Sequence, residues 1–217
     1  MEVRDLFLAP SAPRGEEIRR AAQDSGAPLL EVSDGVLRAV ADTATPQGAV
    51  AVVGTPRVTV RELPEDISLV LVLSEVRDPG NAGTLLRTAV AAGADAVVFA
   101  GKTVDPFSPK AVRASAGAVW RVPVITAPQP RAVLIALRDR GQVTLATSAD
   151  GPPADAADLT RPLALVLGNE AWGIEPSLAD LVDEQVGIAM PGPVESLNVA
   201  IAGSILLFEA ARQRRTR

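Results

Sequence analysis

The chain has 217 residues, a formal charge of −5, 47% apolar residues and 3% aromatic ones. That length suits one or two domains with a proper core, and no apolar run approaches the roughly 18 residues a membrane helix needs. The chain has no cysteine and no histidine, which excludes disulfides, thiolate nucleophiles, Ser-His-Asp triads and His-liganded metals. Acid–base work therefore falls to Asp, Glu, Ser, Lys, Arg or the ligand itself. The start, MEVRDLFLAP, carries no signal-peptide apolar core, and a cytoplasmic location is expected.

In chain order, residues 1–54 alternate short apolar runs with helical patterns. Strands are expected over 3–8, 29–32 and 49–53, and helices over 16–24 and 35–41, the second behind Ser33 and Asp34 as a cap. The stretch 55–66, TPRVTVRELPED, is polar and Pro-containing and is expected to be a linker. From Ser68 onward strands and helices alternate. The run 68–74 is nearly all Val and Leu, as in a strand buried on both faces. Further strands are expected over 95–100, 122–125, 143–147, 163–167 and 186–190, with helices over 82–92, 109–117, 131–140 and 197–212. This alternation predicts an α/β domain over 67–217, a mostly parallel sheet with helices on both faces. The last helix carries Leu197, Val199, Ile201, Ile205, Leu206, Leu207 and Phe208 all round its cylinder. Burial on every side is expected, against its own sheet and against a second subunit, hence a homodimer.

Three constellations could carry chemistry. Asn81-Ala-Gly83-x-x-x-Arg87-x-Ala89-x-x-x-Gly93 places an arginine inside an otherwise apolar helix. Alone, Arg87 fits a solvated helix face, and Asn81 a turn residue after Pro-Gly. Gly168-Asn169-Glu170-x-x-Gly173 follows a buried strand, where glycine lets a ligand approach the backbone; Glu170 alone fits a cap of the next turn. Ser196-Leu197-Asn198 opens the last helix, with Ser196 as the expected N-cap and Asn198 as an amide among apolar residues, needing a partner. Arg87, Lys102, Lys110, Arg113 and Arg121, with the ARQRRTR terminus, fit a solvated surface as well as a polyanion-binding one. No GxGxxG follows the first strand of the large domain and no Gly-Lys-Ser/Thr loop occurs, so a dinucleotide enzyme is disfavoured.

Together these motifs, at 81–93, 168–173 and 191–200, stand in the order and spacing that resemble the SpoU/TrmH-type RNA 2′-O-ribose methyltransferases of the SPOUT superfamily. The resemblance covers Ser68 to the C-terminus. It implies a C-terminal trefoil knot, a rare exception to ordinary topology, and a homodimer through that region. It implies S-adenosylmethionine as cofactor, held by Gly168, Ile188 and Leu197 with Thr147 and Met190 nearby. It assigns Arg87, Asn81, Glu170, Ser196 and Asn198 to the methyl-transfer centre and calls for no metal. Residues 1–54 resemble the tail of the family's small ribosomal-protein-like substrate-binding domain. That domain's opening helix and strand have no counterpart before Met1, so a truncated RNA-binding domain is expected.

The reaction implied is transfer of a methyl group to a ribose 2′-hydroxyl, with rRNA favoured over tRNA as the partner. A guanidinium keeps its proton at physiological pH. Arg87 is therefore expected to clamp a neighbouring phosphate and lower the hydroxyl pKa electrostatically, rather than act as a base. Asn81 would orient the hydroxyl or Arg87, and Glu170 would hold Arg87 or Asn198. The competing reading is a non-catalytic RNA-binding protein on the same scaffold.

Overall fold

A computed structural model of the chain describes residues 2–169, 173–194 and 196–215. Two compact units divide at Pro56 and Arg57. In the first, β1 (Val3–Leu8), α1 (Gly15–Ser25), β2 (Leu29–Glu31), α2 (Asp34–Val40) and β3 (Ala49–Val53) follow one another. The three strands form one sheet in the order β2-β1-β3, with β2 parallel and β3 antiparallel to β1. Ser33 caps α2 as expected, its hydroxyl accepting from the Val36 amide at 3.3 Å.

The second unit begins inside the stretch expected to be a linker. Val60 and Leu63 are 6% and 4% exposed and pack in the larger unit's core. Between them lies a single 3-10 turn, Val60–Glu62, where the Glu62 carboxylate accepts from the Thr59 amide at 2.8 Å. Thr59 and Glu62 of this polar segment are thus spent on a cap.

Then follow β4 (Leu69–Ser74), α3 (Pro79–Ala92), β5 (Ala96–Ala100), α4 (Pro109–Ala114), β6 (Val124–Ala127), α5 (Pro130–Arg138), β7 (Val143–Thr147), β8 (Leu163–Leu167), β9 (Glu184–Val186) and α6 (Val199–Arg215). The six strands of this unit lie in the order β6-β5-β4-β8-β7-β9. Every pairing among them is parallel. Alternation within the strands sorts the core into two layers. Leu69, Leu71 and Leu73 meet Leu85 and Leu86 of α3 and Leu206 and Leu207 of α6. Val70 and Val72 face the opposite layer, with Val133, Leu134 and Leu137 of α5 and Leu178 and Leu181 of a 3-10 turn. Both faces are buried, which is why these strands read as unbroken apolar runs.

Three expectations shift. The start of α3 lies at Pro79, three residues before the expected helix. Its opening PGNAG is poor in helix propensity, but Asp78 caps it from the Asn81 amide at 2.7 Å, and proline is pre-set for a first turn. The strand expected over 186–190 lies at Glu184–Val186 instead. As an edge strand paired only with β7, it tolerates Glu184 and Gln185. Gly187 turns to bond the 152–154 loop, donating to Pro152 O at 2.8 Å and accepting from Ala154 N at 3.0 Å. Ile188 and Met190 therefore lie beyond the strand.

The third shift concerns α6. It starts at Val199, and one face is buried through Val199, Ala200, Gly203, Leu206, Leu207 and Ala210. A side chain on Gly203 would stand 2.5 Å from both Leu85 and Leu167, so the glycine brings α6 down onto α3 and β8. The rest of the cylinder is open within this one chain, on the side where a second subunit is expected. Ile201, Ile205 and Phe208 are 52%, 43% and 52% exposed.

Candidate functional site

The chain enters this sheet at β4, adds β5 and β6 on one side, and returns to the other side with β7, β8 and β9. Loops after β4 and β8 therefore diverge at the carboxyl ends of neighbouring strands, where open α/β sheets bind ligands. A cavity of about 710 Å³ opens beside β8. Its wall includes Thr147 at the end of β7, Gly168 and Asn169 after β8, Ile188 and Met190 after β9, and Ser196 and Leu197 before α6. All five residues expected to bind the cofactor stand in this wall, with Ser196.

Two glycines shape it. A Cβ on Gly168 would lie 2.2 Å from the Gly173 carbonyl carbon, and one on Gly187 would lie 2.5 Å from the Gly151 carbonyl oxygen. Both contacts are with backbone, which cannot move aside as a side chain can. Asn169 and Gly173 exchange two main-chain hydrogen bonds at 2.8 Å, and Gly173 takes the left-handed φ of 69° that closes the turn. Gly168→Ala is expected to displace this turn and weaken binding of S-adenosylmethionine by a hundredfold or more, of the order of 3 kcal/mol. Calorimetric titration measures it, and wild-type affinity in that variant would refute the close-approach argument.

No lysine or arginine occurs among the described lining residues, whereas Glu175, Asp183 and Glu184 do. The last two carboxylates are paired with Arg138 at 3.1 Å and with Arg161. Asp183 is held below the usual carboxylate range: burial opposes this, while hydrogen bonds from Thr144 outweigh it, helped by Arg138. The apolar part of the wall comprises Ile174, Ile188, Met190, Leu197, Val199 and Leu206. A cavity of this size and lining suits a flat aromatic base with a cationic arm and gives a pyrophosphate no counter-charge. S-adenosylmethionine, a sulfonium cation with an adenine ring, fits these residues.

The remaining expected residues divide. Asn198 is exposed, not buried. Its side-chain oxygen accepts from Ala200 N at 2.9 Å and Ile201 N at 3.3 Å, so Asn198, and not Ser196, caps α6. Its amide donates to Asn81 Oδ1 at 3.1 Å. This single contact joins the first and third motifs across 117 positions of sequence. Arg87 lies on the exposed side of α3, does not line the cavity, and makes no ion pair among the described residues. Glu170 lies outside the described residues.

Sequence reasoning missed Glu75. It follows β4 with a φ of 63°, one of two described non-glycine residues with positive φ. Its carboxylate accepts from Lys102 N at 2.7 Å and pairs with Arg77 at 3.2 Å. Its carbonyl accepts from Asn169 Nδ2 at 3.2 Å. The Lys102 amide above all, and Arg77 beside it, hold the Glu75 carboxyl below the usual carboxylate range. Nothing in its residue type announced this; only the backbone conformation does.

The sequence profile described as the SpoU rRNA Methylase family matches residues 68–208. A Bacillus subtilis protein named 23S rRNA (guanosine(2553)-2′-O)-methyltransferase RlmP is 34% identical over 186 residues, covering 85% of this chain and 73% of its own length. A Ralstonia nicotianae protein named 23S rRNA (guanosine-2′-O-)-methyltransferase RlmB is 36% identical, covering 93% of this chain and 83% of its own. Among solved structures, the SpoU methyltransferase AviRb from Streptomyces viridochromogenes, in complex with AdoMet, superposes with a TM-score of 0.86 at 30% identity. It covers 100% of this chain and 85% of that one.

Proposed function

This chain belongs to the SpoU rRNA methylase family, and we propose that its cavity, its Asn81–Asn198 contact and Arg87 form one ribose methyl-transfer site. The protein is an S-adenosylmethionine-dependent RNA 2′-O-methyltransferase, and its substrate is rRNA. The observation that carries the reading is the composition of the cavity wall. It offers glycine backbone and apolar side chains and no described lysine or arginine that would repel a cationic methyl donor.

S-adenosylmethionine, when bound, supplies a methyl group already activated on a sulfonium. The chain's own residues bind, align and handle a proton. Gly168 and Gly187 let backbone approach the donor, and Ile188, Leu197 and Met190 exclude water from it. Thr147 and Ser196 complete the polar rim. Asn81, held by Asn198, orients the 2′-hydroxyl. Arg87 clamps the adjacent phosphate through its planar fork, which favours loss of the hydroxyl proton to that phosphate or to water. Glu170, by its place in the motif, steadies Arg87 or Asn198.

A homodimer through α6 is part of this reading. Leu197, Ile201, Ile205 and Phe208 recur at helical spacing and remain 37–52% exposed, an apolar stripe of the kind a second copy covers. So is the trefoil knot. Its support is membership of the family whose motifs stand at 81–93, 168–173 and 191–200. The unit up to Pro56 serves as a small RNA-binding domain, and the protein works in the cytoplasm; no described helix is long and apolar enough to cross a membrane.

The test is transfer of labelled methyl from S-adenosylmethionine to total rRNA, followed by mapping of 2′-O-methyl sites. One ribose acquiring label, alkali-resistant at its 3′ phosphodiester, is the expected result. Binding of S-adenosylmethionine without transfer to any RNA would leave the non-catalytic reading in its place.

A further inference from the structure

Glu75 adopts a conformation that a glutamate rarely takes, with φ at 63°. Such strain persists where surrounding contacts over-determine it, and it concentrates at working sites. Here the contacts come from two loops and the end of a strand. The loop after β5 gives the Lys102 amide to the carboxylate at 2.7 Å. Ala100 O, at the end of β5, accepts from the Glu75 amide at 3.2 Å. The loop after β8 gives the Asn169 side-chain amide to the Glu75 carbonyl at 3.2 Å. Gly101 makes room for this: a Cβ there would stand 2.4 Å from Glu75 Oε1. Asn169, 8% exposed, lines the cavity and anchors the turn to Gly173. On the other side, Glu75 leads within four residues to Asp78 and the α3 turn that carries Asn81.

We infer that Glu75 is a positioning residue, a strained pin that fixes the Asn81 turn and the Asn169–Gly173 turn at one mutual height, so that the hydroxyl-orienting side and the methyl-donor side of the site stay in register. This rests on the methyl-transfer reading. The argument is geometric. A residue needed only to end β4 would be satisfied by glycine in this conformation, with no side chain reaching the next loop. Here the side chain and the carbonyl of one residue tie β4 to the loops after both neighbouring strands, β5 and β8. A displacement of about 1 Å between the two halves of a group-transfer site is enough to lower its rate substantially.

Three variants test it, each measured beside the wild-type protein. Glu75→Gly removes the side-chain tie to Lys102 that holds the carbonyl in place for Asn169, and relieves the backbone; melting temperature should stay level or rise while kcat falls at least tenfold, with a smaller change in KM for S-adenosylmethionine. Glu75→Ala removes the pin and keeps the strain, so both melting temperature and kcat should fall. Glu75→Gln keeps an oxygen for the Lys102 amide and should retain most of kcat. In the first two, hydrogen exchange at the Asn169 and Gly173 amides should accelerate. The inference is overturned if Glu75→Gly turns over at the wild-type rate, if its loss merely follows a lowered melting temperature, or if Glu75→Gln loses as much as Glu75→Ala. Absence of methyl transfer by the wild-type protein would instead overturn the functional reading.

Discussion

Arg87→Lys is expected to lower the rate of methyl transfer to RNA by about 10²- to 10³-fold, the usual cost of losing one aligned charge-stabilising donor. Affinity for S-adenosylmethionine should stay within about twofold of wild type, because Arg87 does not line the cavity. Lysine keeps the positive charge and much of the reach but offers a compact ammonium in place of a planar fork. If Arg87 served only long-range attraction of RNA, the lysine variant would be nearly silent at all salt concentrations. If it clamps one phosphate beside the reacting hydroxyl, kcat falls and the loss persists at saturating RNA. Single-turnover rates with labelled S-adenosylmethionine decide between these, and near-wild-type turnover would sink the clamp. The structure is consistent with a group waiting for its anion: Arg87 is exposed on α3 and has no carboxylate partner among the described residues.

The second large effect concerns stability. Arg214, near the end of α6, donates from Nε to Leu159 O at 2.9 Å, from Nη1 to Ser68 Oγ at 2.8 Å, and from Nη2 to Ser68 O at 2.9 Å and Arg161 O at 2.8 Å. Asp95 meets the same serine from the far side, accepting from Ser68 N at 2.7 Å and Leu69 N at 2.9 Å. Burial pushes the Arg214 pKa down, against the pull of Asp95 and Asp158. The guanidinium thus joins α6 to the entry of β4 and to the loop before β8. Arg214→Ala would strip the Leu159 and Arg161 carbonyls of this donor, while Ser68 O keeps the Leu163 amide at 2.9 Å. A cost of about 2–4 kcal/mol follows for two partly buried acceptors that lose a charged donor, which corresponds to a fall in melting temperature of about 4–12 °C for a chain of this size. Arg214→Lys should recover only part, since one ammonium cannot reach carbonyls on both sides. Differential scanning calorimetry measures both variants; a loss under about 2 °C for alanine would show that the clasp is replaceable by water.

Much of the fold was legible because its residues are simple. Strand β8, LALVL, appears at the expected residues, since a strand buried on both faces reads as apolar throughout; strand β7, VTLAT, does so too, its buried Thr144 satisfied by Leu181 O and Asp183. Strand β9 was misplaced by two to four residues, because an edge strand with one neighbour places few demands on residue type. The segment before β4 looked like a tether because Thr59, Glu62 and the prolines dominate its composition, while the two side chains that bury it, Val60 and Leu63, are few. In the site, the cavity-lining residues followed from the motifs, because glycines that admit backbone approach and the loops that follow buried strands are visible in a linear pattern. The role of Asn198 was half visible: an amide needing partners was expected, but its capping of α6 and its bond to Asn81 depend on where the helix begins.

What the amino-acid sequence determined by itself is the chemistry on offer: no histidine, no thiol, an arginine in an apolar helix, and glycines after buried strands. These are properties of residue type and short spacing, and they survive in any conformation. What only the tertiary structure decided is which of these groups meet. Asn81 and Asn198 become neighbours because the sheet order places β4 beside β8 and α6 packs on α3. Glu75 becomes a pin because the end of β5 and the loops after β5 and β8 converge on its backbone and carboxylate. Contacts between residues a hundred positions apart, and a left-handed φ on a glutamate, arise from chain topology and packing, which no local pattern encodes.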